Sequence, residues 1–363
     1  MTIAGMILVN NPGTWSAAYP PLAHAEWHGW TPTDLIFPFF LFIVGVSMVF
    51  SFSARLDRGD TRLRLAAHVL RRSAIIFAIG FFLAIVPYFN FATVRIPGVL
   101  QRIAVVYLCA SLIYLFTRTR GPFGLGPQGK QVAAICVLLL GYWAVMTMVP
   151  VPGFGVGRLD VEGNLAAHVD RQLMPGHLWK PTWDPEGVLS TFPAIATTLL
   201  GALVGKWLTS ARRPEEKAKG LFIFGGIGLA LGQIWHIWFP INKNLWTSSY
   251  VVFTAGFACV LLGMCYWVMD VKGVRRWATP FVVFGMNAIA AFALSGFVAK
   301  MMGIWKVPLE TGTAVSVKGY IFGKFFAPLA SPVNASLLFA LAYVLFWLAL
   351  MWFLYRRKIF IKI

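Results

Sequence analysis

Charge is scarce in this chain of 363 residues: only 12% of it is Asp, Glu, Lys or Arg, and just 13 residues are acidic. Soluble domains carry roughly a quarter. A chain this poor in charge and 58% hydrophobic cannot clothe a water-facing surface, which excludes an ordinary soluble enzyme and makes the bilayer its solvent. Cysteine is equally sparse. Of the four, Cys109, Cys136 and Cys259 lie within apolar stretches and Cys265 near the end of one, so neither a disulfide framework nor a CxxC metal site is implied. The opening MTIAGMILVN has no basic n-region and no small-residue cleavage site, and no cleavable leader is expected.

What is present is a series of apolar runs. A transmembrane helix needs about 20 residues, and the runs fall at roughly 1–11, 34–54, 69–88, 99–116, 131–149, 188–208, 220–239, 248–270, 278–297 and 334–355. The expectation is an all-α polytopic bundle of about ten transmembrane helices, forming a single domain over 1–363. The first run is anomalous, since eleven residues make only about 16 Å of helix.

The net charge of +18 is no nucleic-acid signal, because the cations are sorted by loop. Most of the 31 basic residues fall at 55–72, 118–130, 206–219, 272–276 and 356–362, which are alternate connections plus the C-terminus. The acidic residues beside them are Asp57, Asp60, Glu215, Glu216 and Asp270. Lysine and arginine bias marks the cytoplasmic side, so both termini are expected inside.

Polar residues at or within membrane spans mark function. The outer segment NNPGTWSAAYPPLAHAEWHGWTPTD, Asn10 to Asp34, gathers His24, Glu26 and His28 among Trp15, Trp27 and Trp30. The tryptophans suit an interfacial belt; the histidines need another account. His24 and His28 are four apart, yet HAEWH is not HExxH, and Pro20, Pro21 and Gly29 oppose a helix there, so no metal is expected. In RIPGVLQRIA (95–104), Gln101 and Arg102 enter the fourth span, either snorkelling or facing a cavity. In DPEGVLSTFPAIATTLLG (184–201), Asp184 is expected as a helix N-cap with Pro185 at N1 and Glu186 in the first turn. The turn PINKNLWTSS carries Lys243 and Trp246, with Thr247 or Ser248 as cap, and FGMNAI places Asn287 mid-span, where bonding a neighbouring helix is the simplest role.

The run LVNNPGTWSAAYPPLAHAEWHGWTPTDLIFPFFLFIVGVSM (8–48), with RIPGVLQRIA, DPEGVLSTFPAIATTLLG and NKNLWTSSYVVFTAG, resembles the catalytic membrane domain of the heparan-α-glucosaminide N-acetyltransferase family over nearly the whole chain. The resemblance implies an acyltransferase that moves acetyl from cytoplasmic acetyl-CoA to an amino sugar or glycan at the periplasmic face. His24 would be its active-site histidine, Asn10 its partner and Asp34 the acid before Phe-Pro. Glu186, Lys243, Trp246, Arg102 and Asn287 are expected to bind substrate, and Arg71, Arg72, Arg275 and Arg276 to meet the CoA phosphates. Family members usually carry an Asp-x-x-Arg-Gly segment at the beginning of the first helix and, in the animal lysosomal enzyme, a preceding lumenal domain; neither is found in this sequence. A bacterial inner-membrane homologue, a truncated first helix and, by family analogy, a homodimer are therefore expected, although GFACVLLG has the wrong spacing for a GxxxG face.

His24 could act as a nucleophile carrying acetyl-imidazole or as a general base in a ternary complex, with Asn10 donating to the thioester oxygen. The rival class is a transporter or flippase for a sugar or lipid-linked substrate, lined by Arg102, Glu186 and Asn287. No inverted repeat of broken helices supports it.

Overall fold

The structure is a computed structural model that describes residues 1–117, 126–309 and 313–361. Arg118, Arg120 and Lys362, among the cations expected inside, lie outside the described residues. The chain is helical almost throughout. Its helices are α1 (Thr2–Asn10), α2 (Ile36–Asp57), α3 (Arg62–Ile85), α4 (Val99–Phe116), α5 (Pro127–Met148), α6 (Leu165–Leu173), α7 (Val188–Leu208), α8 (Pro214–Trp235), α9 (Ser248–Tyr266), α10 (Thr279–Met286), α11 (Ala288–Ile304), α12 (Val317–Ile321) and α13 (Pro332–Arg356). A short antiparallel ribbon pairs β1 (Lys306–Pro308) with β2 (Ala314–Ser316).

All ten expected spans fall on helix. Among the described residues eight helices are long and apolar enough to cross a membrane, and a bent pair, α10 with α11, makes a ninth. The ninth expected span, 278–297, is therefore corrected from one straight helix to two, bent by 73° at Asn287. The first, α1, has nine residues and at 1.5 Å per residue covers less than half a bilayer.

The described residues form two compact units. The first comprises Met1–Ala25, Thr31–Phe37 and Val274–Ile363, in which α1 packs on α10, α11 and α13. The second comprises Glu26–Trp30 and Pro38–Gly273. Its core is built on close helix crossings. A Cβ at Gly45 of α2 would lie 1.9 Å from the Thr198 carbonyl oxygen of α7, and one at Gly201 2.0 Å from the Phe42 carbonyl oxygen. Backbones in such contact leave no room for side chains, and the Thr198 hydroxyl donates across the crossing to Leu41 O at 3.1 Å.

The start of α7 departs from expectation. Asp184 is not its cap: the helix begins at Val188 with Gly187 as N-cap residue, and the missing acceptor comes from α6, where Asp170 Oδ1 accepts the Val188 N–H at 2.9 Å. Residue 187 must be glycine because a Cβ there would sit 1.8 Å from Asp170 Oδ2. The helix supplying this carboxylate, α6, lies in the 150–187 connection and is capped by Asn164 Oδ1, which accepts from Ala167 N at 2.8 Å.

Two measurements follow from these packing facts. Gly201→Ala is expected to destabilise the detergent-solubilised protein by about 1–3 kcal/mol, as overpacking does, whereas Gly141→Ala, with open space around it, leaves the thermal midpoint unchanged or slightly raised. Burial lifts the Asp170 pKa from 3.8 to about 6, so the folded state holds this proton more tightly than the unfolded one. That contribution to stability is complete below about pH 4 and is lost as pH rises through about 6. Asp170→Asn keeps an acceptor for Val188 and should flatten the fall in thermal midpoint between those two pH values.

Candidate active site

The segment before α2 is held by a carboxylate. Pro20 and Pro21 set a single 3-10 turn, Pro20–Leu22, and a second one, Pro32–Leu35, leads into α2. Between them Asp34, 1% exposed, collects donors: its Oδ2 accepts from the backbone N–H groups of Ala25 and Thr31, each at 3.0 Å, and its Oδ1 lies 2.6 Å from His24 Nδ1. The Thr31 hydroxyl lies 3.1 Å from Oδ2 but closer, at 2.6 Å, to Ala23 O. With one hydrogen it donates to the carbonyl and closes the loop on itself.

The chemical consequence is a defined tautomer. Asp34, ionised and acceptor-only, draws the proton of neutral His24 onto Nδ1, which leaves the Nε2 lone pair as the basic atom of the ring. The imidazole is 43% exposed while its partner is buried, so this carboxylate orients a ring that solvent and solutes can reach. Asn10 sits exposed in the last turn of α1. Its neighbour Asn11 is buried, with Nδ2 donating to Ile7 O at 2.8 Å.

The second unit gathers the other polar loops. Arg95 binds Asp184 in bidentate fashion, Nε to Oδ2 at 2.8 Å and Nη2 to Oδ1 at 2.6 Å, and reaches Glu186 at 2.5 Å. Burial opposes the Arg95 charge, but the bonds to Asp184 and the charge of Glu186 outweigh it and raise the guanidinium pKa. Asp184, 4% exposed, also accepts the backbone N–H groups of Trp179 and Glu186. Its work is to hold this loop to Arg95.

One turn into α4, Arg102 is 2% exposed. Its Nη2 donates to Gly187 O at 3.2 Å and to the Ser190 hydroxyl, and its guanidinium lies 5.2 Å from the centre of the Trp246 ring. Trp246 is itself buried, in a positive-φ backbone position, with Nε1 donating to Thr197 Oγ1. The Nε and Nη1 atoms of Arg102 are buried without hydrogen-bond partners. Arg102, Gln101, Glu186 and Thr191 line a cavity of about 290 Å³. Two unmet donors beside a cavity call for an oxygen acceptor, because an unsatisfied buried polar group costs about 1–3 kcal/mol and a charged one more.

The remaining expected residues are dispersed. His28 belongs to the second unit, with Nδ1 at 3.3 Å from Asn242 Nδ2, and burial together with the charge of His236 lowers its pKa. Trp27 donates to Leu159 O and packs edge-on against Trp183, while Trp15 is 63% exposed, as an interfacial residue would be. Lys243 is half-buried in the turn before α9. Asn287 holds the C-terminal segment, donating to Ile359 O and accepting from Ile361 N, in place of the neighbouring-helix bond expected of it. Arg71, Arg275 and Arg276 are exposed; Arg72 is half-buried against the Tyr107 ring. Among the described residues no cluster of three or more His, Cys, Asp or Glu is placed to hold a metal ion.

Sequence reasoning took RIPG and DPEG one at a time and missed that Arg95 pairs with Asp184 and Glu186. The signal was available: where so few residues are charged, a cation in one outer loop and two acids in another are natural partners.

Residues 6–228 match the family model described as heparan-alpha-glucosaminide N-acetyltransferase, catalytic. The chain is 31% identical over 334 residues to the human protein named heparan-alpha-glucosaminide N-acetyltransferase, and 32% identical over 338 residues to the mouse protein of that name. Each alignment covers 79% of this chain and 50% of the relative, so the chain spans about half the length of the curated relatives it matches. The matched region runs from α1 through most of α8 and so contains His24, Asp34, Arg95, Arg102, Asp184 and Glu186: the chain belongs to the heparan-alpha-glucosaminide N-acetyltransferase catalytic family.

Proposed function

We propose that this protein is a membrane-embedded acyltransferase, carrying an acetyl group from cytoplasmic acetyl-CoA to the amine of an amino sugar at the periplasmic face of a bacterial inner membrane. The observation that carries the reading is the His24–Asp34 pair, within a chain of this family. Acyl transfer to an amine needs a base that loses its proton readily and is held in one orientation. An imidazole whose Nδ1–H is held by a buried carboxylate meets both needs.

In the ternary-complex route, the amine nitrogen attacks the thioester carbonyl carbon while His24 Nε2 takes the amine proton. The C–S bond then breaks, and the thiolate leaves and is protonated by the imidazolium. Asn10 is assigned the oxyanion. Arg102, with two unmet donors, and Trp246 support a polar acceptor site within the second unit that includes Glu186 and Lys243; Asn287, bonded to the C-terminal segment, is not assigned to it. Arg71, Arg72, Arg275 and Arg276 are the cations proposed for the CoA phosphates, and a homodimer is proposed by family analogy alone. The transporter reading has no comparable support: the one bent pair of helices, α10 with α11, has no matching partner among the described residues.

The test is transfer of radiolabelled acetyl from acetyl-CoA to glucosamine by purified protein. His24→Ala is expected to lower kcat by at least about 100-fold, the lower range for loss of a general base, and Asp34→Asn to lower it less while leaving the protein folded. Full transfer by His24→Ala would overturn the proposal. Labelled acetyl retained on the protein when the amine is withheld would replace the ternary complex by an acetyl-imidazole route.

A further inference from the structure

A cavity of about 770 Å³ lies wholly within the second unit and is separate from the residues given roles above. It arises from uneven helix packing. On one side α8 is drawn against α9 by glycines: a Cβ at Gly228 would lie 2.8 Å from Gly256 Cα, and one at Gly232 2.6 Å from Phe253 Cα. On the other, α5 packs on α7. The outer ends of α5 and α8 meet through Trp143 and Trp235, edge-on at 5.5 Å, and below them the two helices part. The cleft is walled by Cys136 and Leu140 of α5 and by Ile227 and Leu231 of α8, and floored by Leu200 and Cys259.

Its opposite end is cationic. Lys206 and Arg212 line the cleft there with Gln128 and Ser210, on the side that the positive-inside bias assigns to the cytoplasm. Arg212 is stacked over the Trp207 ring at 4.5 Å, and Lys206 Nζ lies 5.8 Å from the Tyr114 ring. Among the described residues no carboxylate comes within ion-pair distance of Arg212.

We propose that this cleft is a binding site for one anionic phospholipid of the cytoplasmic leaflet, its acyl chains lying between α5 and α8 and its phosphate between Lys206 and Arg212. Acyl chains need no hydrogen bonds and suit an apolar lining. The amide-bearing arm of a CoA thioester would leave its polar groups unpaired there. A negative headgroup is favoured because two cations meet it at the interface, where basic residues attract anionic lipid. The site does not depend on the transferase reading.

Native mass spectrometry of the full chain released from nanodiscs of phosphatidylglycerol and phosphatidylcholine tests it. The expected result is one phosphatidylglycerol retained per chain, at least tenfold over phosphatidylcholine. The selectivity should disappear in the double variant Lys206→Gln, Arg212→Gln, return in Lys206→Arg, and give way to loss of either lipid when the wall is filled by Cys136→Trp. Thermal midpoints of the variants within a few degrees of the parent certify folding, and the rim variant alone suffices if the wall variant fails that check. Equal retention of the two lipids, retention indifferent to the rim variant, a lipid-free dimer covering the cleft, or displacement of phosphatidylglycerol by acetyl-CoA would each overturn the proposal.

Discussion

The position of a buried carboxylate dictates what the chain around it does. Asp34 is nearly inaccessible and is satisfied by two backbone N–H groups and the His24 imidazole. An ionised carboxylate costs several kcal/mol to bury unless its lone pairs are met, so the residues meeting them are held in place. The turn from Ala23 to Leu35 therefore has one arrangement, and the histidine presented from it has one tautomer. Remove the acid and the tautomer is no longer fixed.

The same rule shapes the second unit at a distance. Asp184 and Glu186 come to Arg95 from 89 and 91 residues along the chain, joining the entry to α4 to the entry to α7. Paired charges of this kind add little net stability, because attraction and desolvation nearly cancel, yet losing one partner strands the other. Their effect is to hold the two loops that lead into these helices together. Arg102, one turn further in, differs in being incompletely satisfied, and native proteins keep such groups where a ligand or water completes them.

Sequence and structure part company where function concentrates. The runs of apolar residues predicted the helices because crossing a bilayer demands a length and a composition that can be counted, and the family's motifs picked out the segment from Asn10 to Asp34. The kink at Asn287 escaped because its neighbours stay apolar on both sides, and hydropathy does not register a break whose amide is engaged by a distant backbone. Asp184 was read as a helix cap because Asp-Pro-Glu has the right local chemistry. The structure gives that part to Asp170, eighteen positions before the Val188 N–H that it accepts, in a short polar helix too brief for any membrane pattern to reveal.

By itself, the sequence determined that this is a multi-pass membrane protein, which stretches are helical, and that His24 lies in an unusual polar segment of a family with a known name. These are local properties, set by side chains within a few turns of one another. Only the tertiary structure decided that His24 meets Asp34 through Nδ1, that Arg95 joins two loops, that Arg102 retains unmet donors, and that α5 and α8 separate into a cleft. Each of these depends on which segments are brought together when helices pack through their small residues, and packing is a relation between distant positions that no single stretch of chain contains.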